Sequence, residues 1–383
     1  MAKRIALFFD GTWNDPEDET RVNAGFKLTR DIPSVQVKKY FEGLGVEADQ
    51  KFTGGVFAKG LGENVCEGYQ YLSETYEDGD EVFVFGFSRG SFTATSVCAM
   101  IMRYGLIRNN GLLNVDDIFN RFKKWDSSTL TEMDFRKEQL FTAEEEKLRA
   151  NSRRIKIKYI GLFDSVATIG VPIGNVSGWS RNALKFHNPR PSNLHLNVRH
   201  ALGINENRKS FKCILFHDFI SEEETEEQII ESRNKLASRF EQRWFCGVHS
   251  DIGGGDNKNL ASGPYNWIMR KAKDLGLEFE GEIPERGDLA AIPINDNFAK
   301  FYKRLFNFTR IGFRFHRKIG AKAKFKSKNR IETIHETIDP SVFERFRKDP
   351  KYRPKNLMKF FRNDAAKISA QHEVYTINHA ERH

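Results

Sequence analysis

Glu81-Val-Phe-Val-Phe-Gly-Phe-Ser-Arg-Gly-Ser-Phe92 decides the fold class of this chain. Apart from Glu81 and Gly86, its first seven residues are β-branched or aromatic, the composition of a buried strand. Ser91–Arg103 continues as small and apolar residues up to Gly105, the pattern of a helix. Between them Gly86-Phe87-Ser88-Arg89-Gly90 forms a G-x-S-x-G turn. In a nucleophile elbow of this kind the serine is lifted above the sheet, and the glycines leave room for neighbouring backbone. The helix after the turn aims its N–H groups at the site, which favours developing negative charge. The pentapeptide alone would arise by chance in roughly one chain in ten of this length. The flanking strand and helix give it weight over the bland alternative, an ordinary serine in a tight turn.

Working outward, Ile5–Phe9 is a short apolar run ended by Asp10-Gly11-Thr12, a buried strand meeting a turn. Residues 13–50 read as loop with some helix, and Val65, Tyr69 and Leu72 share a helical face. Residues 108–153 are charged and helical in pattern. Ile155–Phe163 is a second central strand, ending in Asp164, and 171–198 is loop-rich. Phe211–Phe216 and Arg243–Val248 read as further strands around an acidic helix at Ser221–Glu231, and a last helix covers Tyr265–Leu275. Strands alternating with helical connections predict an α/β-hydrolase fold: a mostly parallel central sheet with helices on both faces and helical or loop insertions. The expected division is a catalytic domain over 1–290, with 108–153 as a lid insertion, and a basic, aromatic extension over 291–383 that packs on or continues it.

Composition narrows the class of protein. A chain of 383 residues can bury a full core, and 39% hydrophobic content is compatible with folding throughout. No run of about 18 uncharged apolar residues occurs, and Ile5–Phe9 is too short for a secretory leader. The expectation is a product that is cytoplasmic as synthesised, without signal peptide or transmembrane helix. Cys66, Cys98, Cys213 and Cys246 show no C-x-x-C pair or metal-ligand spacing. No metal and no cofactor is called for.

A serine hydroxyl needs a base to take its proton and a third group to orient that base. In this fold class the chain order is Ser, then Asp or Glu, then His. His249, just past the strand ending at Val248, is the best-placed base. His200 and His217 fall in an expected helix and strand, His316 and His335 in or after a basic region, and His372, His379 and His383 at a polar C-terminus. Asp164, at the end of its strand, is the expected orienting carboxylate, with Asp218 and Asp251 as weaker rivals. The oxyanion hole needs two N–H donors: one from Arg89, the other from Gly11 or Thr12, with Asp10 bracing that turn.

Several segments together resemble the type VI secretion phospholipase effectors and their α/β-hydrolase relatives. They are Phe9-Asp-Gly-Thr-Trp-Asn14, Gly79–Phe92, Gly161-Leu-Phe-Asp-Ser-Val166, Arg199-His-Ala-Leu202, Trp244–Gly255 and Ile334-His-Glu336. The blocks run in family order from residue 5 to about 357. The resemblance implies a Ser-Asp-His triad on Ser88, Asp164 and His249 and esterase chemistry on phospholipids. It also brings export by a type VI system, with a secretion apparatus or an immunity protein as candidate partners. Ser91 departs from the family's usual alanine, and the expectation from this length is a compact member without the long membrane-anchoring extension of larger effectors.

Net charge is +9, yet residues 299–330 hold 12 Lys/Arg and no Asp or Glu, leaving −3 for the rest. Phe301, Phe306, Phe308, Phe313, Phe315 and Phe325 are interleaved with these cations. The segment reads as a surface for anionic lipid headgroups, with nucleic acid as the less favoured ligand, or as a solvated rim whose aromatics pack inward. Three functions follow: a phospholipase, an α/β-hydrolase acting on a soluble ester, thioester or amide, and a non-catalytic binding protein working through 299–330.

Overall fold

The computed structural model describes residues 2–11, 19–43, 54–109, 111–124, 143–166, 191–220, 224–255, 258–295, 315–320, 322–324 and 330–377. Eight strands form the central sheet: β1 (Arg4–Phe9), β2 (Gln36–Phe41), β3 (Glu81–Phe87), β4 (Ile157–Phe163), β5 (Val198–Gly203), β6 (Phe240–Phe245), β7 (Glu336–Ile338) and β8 (Tyr375–Thr376). Their order across the sheet is β2-β1-β3-β4-β5-β6-β7-β8. All neighbours pair parallel except β7 and β8. A parallel sheet needs crossovers on its faces and is therefore buried on both sides.

The period-two alternation of the strands sorts their side chains into two layers. Ile5, Leu7, Phe9, Val82 and Val84 face Val65, Tyr69 and Leu72 of helix Gly54–Thr75 and Phe92, Val97 and Met100 of helix Arg89–Tyr104. Ala6, Phe8, Phe83 and Phe85 face the other way, onto Ile268, Met269 and Ala272 of helix Lys258–Asp274. Phe8 and Phe85 are register partners, and their rings stack at 4.6 Å. A third cluster fills the far end, where Leu202, Trp244 and Ile338 meet Val342, Phe343 and Leu357 from the C-terminal helices. The α/β-hydrolase architecture is thus a doubly covered, mostly parallel sheet with a serine elbow after β3.

Several local expectations are corrected. Gln36–Phe41, read as irregular, is strand β2, and His200, read as helical, lies inside β5. Phe211–Phe216 is not a strand of the central sheet. A single helical turn, Lys209–Phe211, precedes an extended stretch, and His217–Ile220 joins Lys322–Lys324 and Arg330–Thr333 in a separate antiparallel sheet. Within 108–153, helix Val115–Lys124 buries Ile118, Phe119 and Phe122 in the first core layer. Residues 125–142 of the expected lid lie outside the described residues.

Truncating Phe85 removes a completely buried ring from the middle of the sheet. Phe85→Ala is expected to cost about 3–5 kcal/mol, to be read as a lowered urea midpoint at unchanged secondary structure.

Candidate active site

β1 and β3 lie side by side, but the chain leaves β1 toward β2 and leaves β3 toward β4. Such a reversal opens a crevice beyond the carboxyl ends of the strands. Ser88 stands at this point with φ 56° and ψ −119°, a conformation that L-residues avoid and that costs of order 1–3 kcal/mol. Close packing enforces it. A Cβ on Gly86 would come within 2.6 Å of Ser91 Cα, and one on Gly90 within 2.1 Å of Phe9 O. The Ser88 N–H donates to Phe163 O at 2.9 Å, and Ser91 Oγ donates to Gly86 O at 2.7 Å. The hydroxyl of Ser91 therefore closes the turn from inside.

The next strands bring the other two side chains. Asp164 follows β4 with φ 46° and is wholly buried. His249 follows β6 as the first residue of the short helix His249–Gly253. Its Nε2 lies 2.8 Å from Ser88 Oγ, and its Nδ1 lies 2.6 Å from Asp164 Oδ2. An ionised carboxylate only accepts, so the proton belongs on Nδ1, and Nε2 is left to accept from the serine hydroxyl. Phe87 stacks on the imidazole and Phe211 tilts against it, both at 4.9 Å between centroids. The His249 backbone N–H donates to Glu206 Oε2 at 3.1 Å, and Glu206 is in turn gripped by Arg208.

Electrostatics favour a neutral imidazole beside an ionised carboxylate. Burial pushes the His249 pKa below its ordinary value, against the pull of Asp164. Burial would raise Asp164, but the Arg317 guanidinium and the His249 ring hold its carboxyl well below the usual range. Arg317 is a neighbour of Asp164 that the sequence did not single out: it reaches both carboxylate oxygens, at 2.6 Å and 2.8 Å. It belongs to the basic segment expected at the surface, yet it is only 2% exposed. Residues 299–314, 321 and 325–329 of that segment lie outside the described residues.

The remaining candidates fall elsewhere. Asp218 sits in the separate antiparallel sheet, and Asp251 accepts from Val248 N–H and from Asn295. His200 accepts the Ser165 N–H through Nε2, and burial lowers its pKa to about 4. His335 bonds Phe240 O, and His372 is exposed. Of the residues named as oxyanion donors, Arg89 is the first residue of the helix after the elbow. Gly11 does not offer a free N–H: it donates to Asp10 Oδ1 at 2.6 Å, while Asp10 Oδ2 accepts from Thr20 and from Tyr40. Thr12, the alternative donor, lies outside the described residues. Among the described residues no cluster of three or more His, Cys, Asp or Glu side chains could hold a metal ion, and no helix is long and apolar enough to cross a membrane.

An uncharacterized protein of Saccharomyces cerevisiae is 30% identical over 233 residues, covering 56% of this chain. The chain spans only about a third of that relative's length (33%). Among solved structures, an uncharacterized protein from Pseudomonas aeruginosa matches 74% of this chain and 47% of its own at 16% identity and TM-score 0.42. A Tle1 effector bound to the VgrG spike of the type 6 secretion system matches 80% and 79% of the two chains at 14% identity and TM-score 0.38. A butyrate-bound esterase of Thermogutta terrifontis matches 73% and 86% at 14% identity and TM-score 0.34. The family model for the type VI secretion system phospholipase effector Tle1-like catalytic domain matches residues 3–271, a span that holds β1 to β6 and all of Ser88, Asp164 and His249. The chain belongs to the Tle1-like phospholipase effector family, through that family's catalytic domain.

Proposed function

We propose that this chain is a serine ester hydrolase acting on glycerophospholipids. Ser88 Oγ attacks the ester carbonyl carbon while His249 Nε2 takes its proton, and the collapsing tetrahedral intermediate expels the alcohol, protonated by His249. Water, deprotonated by the same imidazole, then attacks the acyl-enzyme, and the fatty acid leaves as the Ser88 hydroxyl is restored. Asp164 fixes the imidazole tautomer and stabilises its cationic form. The N–H of Arg89 is one oxyanion donor.

The single observation that carries this reading is the unbroken chain of contacts from Ser88 Oγ through His249 to Asp164, at 2.8 Å and 2.6 Å, on a strained elbow. A binding protein has no use for a serine held at φ 56° against an imidazole, so the non-catalytic alternative is the poorer account. The lipid substrate, export by a type VI system and an immunity or secretion-apparatus partner rest on the family alone. Residues 1–290 would then carry the hydrolase, with 291–383 continuing the same body.

Mass spectrometry of mixed phospholipids incubated with wild type and Ser88→Ala tests the proposal. Lysophospholipid and free fatty acid are expected from the wild type, and a loss of about 10³-fold or more in the variant. Products only from a parallel panel of soluble acyl esters would move the substrate to a small ester. Full activity in Ser88→Ala would remove the mechanism.

The pH dependence has two parts. The base must be neutral, and burial lowers the His249 pKa, so the acid limb of kcat/KM should lie below pH 6.5. Stability behaves differently. His195 and His200 have folded pKa values near 4, lowered by burial from 6.5. Between those values the unfolded chain binds more protons, so stability falls as pH drops from about 6.5 toward 4. Urea midpoints at pH 7.5, 6, 5 and 4.5 should decline steadily, and a flat series would contradict the burial of neutral imidazoles.

A further inference from the structure

The mechanism above uses three side chains, yet its carboxylate also meets a fourth, from a segment beyond residue 271, where the family match ends. Arg317 Nη1 donates to Asp164 Oδ1 at 2.6 Å and Nη2 to Oδ2 at 2.8 Å. The remaining capacity of the fork is used on Gly203 O, at 2.9 Å from Nη1, and on Phe211 O, at 2.6 Å from Nη2 and 3.2 Å from Nε. The two side chains are 1% and 0% exposed, so solvent does not screen the pair. The backbone on each side is anchored as well. Phe315 N–H donates to Asn207 O at 2.8 Å, and Gly320 N–H to Glu336 Oε2 at 3.1 Å. A guanidinium spread over five contacts and tethered at both ends is a built part of the site rather than a surface cation.

We propose that Arg317 is a positioning residue for the hydrolysis: it grips both oxygens of Asp164, fixing one geometry toward His249, and offsets the carboxylate charge so that His249 remains a free base at lower pH. This rests on the Ser88–His249–Asp164 reading. An unopposed buried carboxylate in contact with an imidazole raises the ring's proton affinity, and a cation bonded to both of its oxygens opposes that field. Among the described residues the other groups around the ring are accounted for. Ser88 is a neutral hydroxyl, and Phe87 and Phe211 are uncharged. Glu206, which faces the His249 backbone, is paired with Arg208, and the two act on the ring in opposite senses. His200, beside Asp164 in the sheet, is kept neutral by burial, and Asp251 caps its own turn at Val248. Among the described residues, Arg317 is therefore the charge bonded directly to the carboxylate that orients the base.

The test compares wild type, Arg317→Lys and Arg317→Met. For each, kcat and KM on a soluble p-nitrophenyl ester are measured from pH 4.5 to 8.5. The His249 imidazole is titrated by ¹⁵N NMR in a Ser88→Ala background. In Arg317→Met the acid limb and the imidazole titration should both move up by about one pH unit. Its kcat should fall about tenfold or more, with KM changed less than about twofold. Arg317→Lys keeps the charge on a point donor without the fork, so it should shift less and recover part of kcat. A limb and titration coincident with wild type in Arg317→Met, with only a lower Tm, would overturn the proposal. If Arg317→Met does not fold, Arg317→Lys decides: wild-type kcat and pH profile overturn it, a lowered kcat with a raised limb sustains it. Should the wild type hydrolyse no ester at all, the hydrolase reading fails, and the imidazole titration still decides what Arg317 does to His249.

Discussion

Asp164 is an anion without access to water, and the site is organised around satisfying it. Taking a carboxylate out of water costs several kcal/mol even after relaxation, so every acceptor position must be filled. Oδ1 receives the Gly203 N–H and Arg317 Nη1, and Oδ2 receives His249 Nδ1 and Arg317 Nη2. These donors come from the end of β5, from the residues after β6 and from 315–320. The order β3-β4-β5-β6 sets the carboxyl ends of four consecutive parallel strands in one row. At ~4.8 Å per strand, β3 and β6 are roughly 14 Å apart. The chain after β6 must therefore turn back over the rim for His249 to reach Ser88. Gly247, at φ 122°, makes that turn, and Asp251 Oδ2 holds it by accepting the Val248 N–H.

The parts of this arrangement that the sequence discloses are those set by local backbone. An apolar run into G-x-S-x-G into a small-residue helix allows few conformations, so Ser88 was legible. Asp164 and His249 were legible because each follows an apolar strand that ends in a polar turn. The strands missed are those whose composition serves a neighbour. Gln36–Phe41 carries Lys38 and Lys39 because β2 is an edge, where charge discourages further pairing. Lys38 also donates to Phe26 O and Thr29 O, contacts invisible to any pattern. Val198–Gly203 contains Arg199 and His200, which blur a strand signal, yet His200 is buried with a partner at Ser165 N–H. Arg317 was illegible for the opposite reason: among 12 cations in 32 residues, nothing local marks the one that goes inside.

The C-terminal residues complete the sheet, and they also connect the far end of the sheet to the acid of the site. Glu336, on β7, is fully buried and accepts from Trp244 Nε1, Gly320 N–H and Thr333 Oγ1. Trp244 lies on β6, five residues before His249, and Gly320 lies three residues after Arg317. One carboxylate thus fixes the strand that delivers the base and the segment that delivers the guanidinium. Since both converge on Asp164, an error in β7 would displace the base and the guanidinium together rather than one of them. In a buried polar network of this kind, removing one partner is strongly destabilising, because it leaves a charge buried and uncompensated. The β7 strand is only three residues long, so its backbone pairing is a small part of what it contributes. Its main contribution is the side chain of Glu336, which makes the geometry at Asp164 depend on residues more than 170 positions away in the chain.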